Sequence, residues 1–124
     1  MSTGDLSSRE YHSRKEQERR AERESLRLEV VGRTREAIRQ LAPEIPAIRA
    51  AWLFGSILQP GRFHAGSDVD VAIDCDDPEA ETPFWRALER ALERNIDLRP
   101  REGPIARAVQ DYGELVYERE VPHP

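Results

Sequence analysis

The sequence predicts an α/β fold in which a long N-terminal helix is followed by short strands that alternate with helices. Three observations support this prediction. The length of 124 residues suits one domain with its own core. Helix-forming residues run without proline from position 13 to position 41. After position 47, short apolar segments alternate with turn signals rich in Pro and Gly.

The N-terminal third is dominated by charged residues. Residues 1 to about 8 are small and polar, which predicts disorder. A helix is predicted from Ser13 to Leu41, and only its second half carries apolar residues at helical spacing. We therefore divide the chain into a charged helix or arm, residues 1–41, and a domain, residues 42–124. The first half of the helix is either a solvated face or an arm that binds a partner.

The first two strands are predicted on either side of a loop. Pro43 and Pro46 end the helix, and the apolar segment Ile48–Phe54 then forms a buried strand. The second strand, Asp68–Asp74, alternates with period two. Its valines and isoleucine occupy one face, whereas its aspartates and the small Ala72 occupy the other.

Two helices and two short strands complete the predicted order. Thr82 and Pro83 are the N-cap and first residue of a helix that ends by Arg94 or Asn95. Ile96–Leu98 forms the third strand, a helix starts at Pro104, and Leu115–Tyr117 adds a possible fourth strand. Predicted buried positions on these helices, together with two tryptophans assigned to the core, are Phe84, Leu88, Ala91, Leu92, Ile105, Ala108, Val109, Tyr112, Trp52 and Trp85.

Composition excludes several classes of protein. A net charge of −5 argues against a general nucleic-acid binder. The single cysteine, Cys75, excludes an internal disulfide framework and a multi-cysteine zinc site, and it fits a reducing cytoplasm. The N-terminus has no apolar signal segment, and no apolar run is long enough to span a membrane. We therefore expect a cytoplasmic protein.

The aspartates of the second strand form a candidate metal site. Asp68 and Asp70 lie two residues apart, so their side chains leave the same face of the strand. Two such carboxylates repel each other unless a cation lies between them, and Mg²⁺ accepts one or two carboxylates together with substrate phosphates. If the third strand pairs with the second, Asp97 joins this face as a ligand or as a base. The competing interpretation is that these aspartates are solvated residues at a strand end.

The pair Gly55-Ser56 is a candidate phosphate site. It ends the first strand and offers a hydroxyl and free backbone N–H groups, which can cradle a phosphate oxygen. By itself such a pair is only a turn. The Walker and dinucleotide glycine patterns are absent, and the single lysine, Lys15, lies in the charged helix.

Together, LFGS, the glycine-containing loop, SDVDVAI and the later IDL resemble the minimal nucleotidyltransferases of the DNA polymerase beta superfamily. The resemblance covers residues 47–118. It implies an α+β core with a small mixed sheet packed by helices. It also implies that Gly55 and Ser56 hold the nucleotide triphosphate, with Ser67 as a further nucleotide-binding candidate. Asp68, Asp70 and Asp97 would be the catalytic residues and would bind two Mg²⁺ ions.

Two departures from the family pattern lie beside the candidate phosphate site. Eleven residues separate Ser56 from Asp68, one more than is usual in the family, and the extra residue falls within ILQP. The family's basic residue soon after the serine is replaced by Ile57 and Leu58. Arg62 is a candidate for the missing positive charge.

Small members of this family resemble antitoxins that transfer AMP from ATP onto a tyrosine of a helical, HEPN-type toxin. The resemblance therefore implies a partner protein in a hetero-oligomer, with no role for a membrane or for direct nucleic-acid binding. Two alternatives stay open. One is transfer to a small molecule such as an aminoglycoside, and the other is a non-catalytic antitoxin that acts by binding alone.

Overall fold

The computed structural model describes residues 3–120, which form three α-helices, three short 3₁₀ turns and one four-stranded sheet. In chain order the helices and strands are α1 Thr3–Leu41, β1 Ile48–Phe54, β2 Val69–Cys75, α2 Glu81–Leu92, β3 Ile96–Pro100, α3 Gly103–Tyr112 and β4 Glu114–Glu118. The 3₁₀ turns are Ala42–Glu44, Gly55–Leu58 and Pro78–Ala80. No helix within this range has the length and apolar character needed to cross a membrane.

The long N-terminal helix begins earlier than the sequence predicts. Helix α1 starts at Thr3 rather than at Ser13, so the prediction of disorder is wrong for residues 3–8. Residues 1 and 2 lie outside the described range. The side chains of residues 8–22 are exposed, whereas the second half of the helix contributes Val30, Val31, Ala37 and Ile38 to the core. The expected contrast between the two halves is confirmed.

The sheet is mixed, as the family resemblance implies. Its strand order is β3-β2-β1-β4, with β1 antiparallel to both β2 and β4. Strands β2 and β3 are parallel and are joined through α2, because a parallel pair needs a long crossover. The predicted bounds of β1 are confirmed, whereas β2 begins one residue later than predicted.

The main core lies on one face of the sheet, beneath α1 and α2. Val69, Val71 and Ile73 of β2 point into this core, as their alternation predicts. The other face is covered in part by α3, whose Val109 packs with Phe54 and Ala72. Asp70 and Asp74 share this second face with Ala72. Helix α3 therefore covers one part of the face that carries the aspartates.

The sequence misplaces several residues of the shorter helices. Helix α2 begins at Glu81 after Ala80, so Thr82 is a helical residue and not the N-cap. Ala91 is exposed, and Trp85 is 37% exposed while its indole N–H donates to the Ile96 carbonyl at 2.6 Å. Tyr112 is 77% exposed, so it does not belong to the buried face of α3. An indole with a polar N–H is commonly seated at such a boundary rather than inside.

Candidate functional site

The site begins where β1 ends, at Gly55. This residue has φ +79°, a left-handed conformation that strongly favours glycine. A Cβ at this position would overlap Asp70 Oδ2 and would lie 3.1 Å from Asp70 Cγ. The glycine is therefore required twice, once by its own backbone conformation and once by the carboxylate that touches it. The predicted phosphate and metal features are in direct contact.

Strand pairing brings Asp97 beside Asp70. In the parallel register of β2 and β3, Asp70 lies opposite Asp97, and Asp70 also lies opposite Phe54 on the antiparallel side. Asp70 is half-buried, whereas Asp68 is exposed just before β2 begins. The structure thus brings Asp70, Asp97 and the Gly55 turn together, and it places Asp68 at the entrance to the same face.

The negative charges around Asp70 outweigh the positive charge near it. Burial, followed by the carboxylates of Asp97 and Asp68, raises the pKa of Asp70 to about 6, and only Arg99 acts in the opposite direction. A carboxylate is destabilised in this way when desolvation and like charges outweigh its cationic neighbours. The arrangement favours a cation at this end of the sheet.

The neighbouring carboxylate is partly compensated. Arg99 Nε donates to Asp97 Oδ1 at 3.1 Å, and the Asp97 side chain remains 33% exposed. Arg99 lies two residues after Asp97 on β3, so both side chains leave the same face of the strand. One carboxylate oxygen of Asp97 is therefore held by the protein, while the side chain stays accessible from outside.

These residues suit Mg²⁺. Hard carboxylate oxygens are the ligands that Mg²⁺ prefers, and it normally keeps several waters or substrate oxygens as well. Across residues 3–120, no three His, Cys, Asp or Glu side chains already form a group that could hold a metal. The donor set offered by the protein is accordingly the pair Asp70 and Asp97, with Asp68 next to it, and waters or a ligand's oxygens would complete the coordination.

The loop before β2 is held by a network that the sequence does not reveal. Arg94 Nη2 donates to the carbonyls of His64, Ala65 and Ser67 at 3.0, 2.9 and 3.2 Å, and its guanidinium lies 4.7 Å from the Phe63 ring. Phe63 is 1% exposed and anchors the loop in the core. The loop at the entrance to the site is therefore held by the segment that joins α2 to β3 and by the core.

Ser67 and His64 take part in this same loop. The Ser67 hydroxyl accepts from the His64 backbone N–H at 3.1 Å, and His64 Nδ1 accepts from the Gly66 N–H at 3.1 Å. Ser67 also lines a cavity of about 450 Å³ together with Asp68 and Arg94. Ser67 thus lies on the Asp68 side of the site, whereas Ser56 lies in the turn that follows β1. Arg62, the candidate for the missing positive charge, is exposed in the loop.

Another arginine, Arg27 of α1, contacts the candidate phosphate turn Gly55–Leu58. Arg27 Nη1 donates to the Ile57 carbonyl at 3.0 Å across thirty residues of sequence. No local pattern could have predicted this contact, because it depends on how α1 docks against the sheet. Arg99, by contrast, could have been found from its spacing of two residues after Asp97.

Comparison with protein families and solved structures agrees with this geometry. The family model described as polymerase beta, nucleotidyltransferase matches residues 36–121. A search of curated proteins finds no match. Among solved structures, a toxin–antitoxin with AMP-PNP matches at 27% identity with a TM-score of 0.57, covering 69% of this chain and 74% of that one.

Two further solved structures are similar. A mutant of the MntA-HpeT toxin–antitoxin, in which two aspartates are changed to glutamate, matches at 26% identity with a TM-score of 0.56, covering 70% of this chain and 74% of that one. A tri-AMPylated HEPN toxin of Shewanella oneidensis in complex with an MNT antitoxin matches at 23% identity with a TM-score of 0.51, covering 73% of each chain. This last likeness shows a shared fold.

Proposed function

Because the chain belongs to the polymerase beta nucleotidyltransferase family, we propose that it is the antitoxin of a toxin–antitoxin pair. In this proposal it transfers AMP from ATP to a tyrosine hydroxyl of a HEPN-type toxin. The observation that carries the proposal is the contact between the Gly55 turn and Asp70, with Asp97 opposite Asp70 in the sheet. Similarity to toxin–antitoxin structures, one of them with AMP-PNP, supports the partner and the nucleotide.

Asp68, Asp70 and Asp97 are the residues that would hold Mg²⁺, as two ions in the proposed complex. When bound, the metal neutralises charge on the triphosphate and on the leaving pyrophosphate. The protein's own contribution is a rigid strand pair that fixes two carboxylates next to each other. Positioning and charge account for most of the catalysis in this class of reaction.

The Gly55-Ser56 turn would receive the phosphates farther from the reacting centre. Backbone N–H groups at the start of a helical turn have no partner within that turn and point toward an anion. The 3₁₀ turn Gly55–Leu58 follows directly from the extended residue Phe54, so the turn begins at the residue that abuts Asp70. The triphosphate would then bridge the turn and the carboxylates.

Asp97 is the proposed base. The acceptor hydroxyl oxygen forms a bond to the α-phosphorus while the bond from that phosphorus to the bridging oxygen breaks, and pyrophosphate leaves. The hydroxyl proton passes to a carboxylate oxygen of Asp97. Partial exposure of Asp97 and exposure of Asp68 leave this side of the sheet open to an acceptor carried by another protein.

Labelled ATP tests the proposal. The chain is incubated with Mg²⁺, a candidate HEPN-type toxin from the same genome, and ATP labelled in either the α- or the γ-phosphate. We expect the toxin to acquire the α label and not the γ label, and an Asp68→Ala, Asp70→Ala double variant to transfer neither. Transfer of the γ label would indicate a kinase and would contradict the proposal.

Neutralisation of the toxin separates catalysis from binding. If wild type transfers no label, yet the Asp68→Ala, Asp70→Ala variant still neutralises the toxin in cells, the protein acts by binding alone. If an added aminoglycoside acquires the label while the toxin does not, the acceptor is a small molecule. Each result replaces the proposal with one of the two alternatives.

A further inference from the structure

We propose that Arg27 of α1 is a positioning residue that holds the Gly55–Leu58 turn in the shape that receives the nucleotide phosphates. This inference rests on the proposed function, since it concerns the same nucleotide. It assigns to the N-terminal helix a role at the site, although α1 contributes neither a carboxylate nor a phosphate-binding turn.

The contact is specific and largely shielded from water. Arg27 uses Nη1 for the Ile57 carbonyl at 3.0 Å and uses Nε and Nη2 for the Glu24 carboxylate at 2.9 and 2.5 Å. Its side chain is 12% exposed, and Ile57 is fully buried. A planar guanidinium with a bidentate carboxylate partner has little freedom to turn away. The donor to Ile57 is therefore fixed in direction.

The position of Ile57 explains why this direction matters. Ile57 is the third residue of the four-residue turn, so its carbonyl lies toward the turn's C-terminal end. The carbonyl and the N–H groups of a helical turn point in opposite directions along its axis, and a cation is favourable at the carbonyl end. Arg27 thus holds one end of the turn while Gly55 abuts Asp70 at the other.

Arg27 lies outside the region matched by the family model, which begins at residue 36. The contact therefore joins the turn to a helix residue that lies outside the matched region. An arginine that reaches the turn from α1 supplies a directed hydrogen bond at its carbonyl end.

The test measures binding of MgATP to the purified chain without any toxin, followed by the Michaelis parameters with toxin. We expect Arg27→Gln to weaken MgATP binding and raise KM for ATP by about 10-fold or more, the scale of one lost charge-assisted hydrogen bond. At saturating ATP, kcat should stay close to that of wild type. Arg27→Lys should restore much of the affinity because an ammonium can still donate to the Ile57 carbonyl.

Arg20→Gln is the matched control, since Arg20 also pairs with a glutamate on α1, Glu16 at 3.4 Å, on its exposed face. Its MgATP affinity should equal that of wild type. Glu24→Gln tests the site if Arg27→Gln fails to fold, because it loosens the guanidinium that the Glu24 carboxylate holds. It should weaken MgATP binding, though less than loss of the Arg27 guanidinium would, and wild-type affinity in folded Glu24→Gln would overturn the inference.

Unchanged MgATP affinity in folded Arg27→Gln would overturn the inference, whatever its effect on stability. The same holds if Arg20→Gln weakens binding as much as Arg27→Gln does. If wild type binds MgATP but labels no toxin, the proposed function fails, while a loss of affinity confined to Arg27→Gln would still support the role of Arg27.

Discussion

The two ends of β2 carry aspartates on the same face, four residues apart, and they differ in almost every other respect. Asp74 is paired with Arg101 through two hydrogen bonds of 2.9 and 2.8 Å, and Arg101 also lies 4.8 Å from the Trp52 ring. Asp70 instead faces Asp97 and touches Gly55. A charge that the protein neutralises itself belongs to the structure, whereas a charge set against another of the same sign is suited to a bound cation.

The largest difference between the two aspartates should appear in catalysis. Under the proposed function, Asp70→Asn removes a proposed metal ligand and its negative charge, and should lower AMP transfer by at least about 10³-fold. Asp74→Asn, the matched control, should leave the rate nearly unchanged because Asp74 is already held by Arg101. The measurement is the initial rate of α-label transfer to the toxin at saturating ATP and Mg²⁺.

A comparable loss in both variants would contradict this contrast, because it would mean that the whole face acts as one unit. Full activity in Asp70→Asn would contradict the assignment of the site itself. Circular dichroism of both variants serves to confirm that they are folded.

The next effect concerns the glycine that touches Asp70. Gly55→Ala should lower transfer by about 10²-fold, because the added Cβ displaces the Asp70 carboxylate and strains a left-handed residue. Gly61→Ala is the control, since Gly61 has φ +84° but no heavy atom lies within 4 Å of the place that its Cβ would take. It should lose a similar amount of stability from backbone strain, and its transfer rate should change little.

Comparing the two variants therefore separates the contact with Asp70 from the strain of a left-handed backbone. If Gly61→Ala loses activity as severely as Gly55→Ala, the effect of Gly55 is backbone strain alone. Urea unfolding of both variants measures the strain that they share.

Much of this arrangement can be predicted from the sequence because it depends on local patterns. Period-two alternation correctly places Val69, Val71 and Ile73 in the core and the aspartates on the opposite face. The position of Asp97 within IDL predicts a third carboxylate beside Asp70 if β2 and β3 pair, and they do. The sequence also locates the turn at Gly55, although it does not predict the contact with Asp70.

The rest depends on how distant segments dock, which a single sequence does not encode in any local pattern. Arg27 meets Ile57 and Arg94 meets the loop before β2 only after α1 and α2 have packed on the sheet. Trp85 and Tyr112 look like core residues by spacing, but α2 and α3 present them toward solvent. Helix spacing identifies an apolar stripe but not its width.

A smaller effect of Asp70 should appear in the free energy of unfolding of the metal-free protein. The folded chain holds the Asp70 proton up to a pKa of about 6, above the ordinary value of 3.8. Between these pH values the folded state binds more protons than the unfolded state, so the free energy of unfolding falls as pH rises. After allowing for partial solvent exposure of Asp70, its ionisation should lower the free energy of unfolding at pH 7 by about 1–2 kcal/mol relative to acid pH.

Urea unfolding in EDTA checks this, with Asp70→Asn as the reference that cannot titrate. The free energy of unfolding of Asp70→Asn relative to wild type should increase by about 1–2 kcal/mol between pH 4 and pH 7. Added Mg²⁺ should reduce the difference at pH 7 by stabilising wild type. A difference that stays constant with pH would show that Asp70 is not destabilised by its neighbours.

The smallest expected effect is the contribution of the Asp74–Arg101 pair to the free energy of unfolding. Measuring it tests whether this pair is only a surface ion pair. The two side chains are 30% and 40% exposed, respectively, so the interaction should contribute less than about 1 kcal/mol and should weaken with added salt. Because Arg101 also stacks on Trp52, a double-mutant cycle of Asp74→Asn and Arg101→Gln is needed to isolate the ionic part from the stacking. A coupling energy above about 2 kcal/mol would place Asp74 among the residues that hold the sheet together at this end. Asp74 would then contribute more to the stability of the fold than its role as a neutralised surface carboxylate implies.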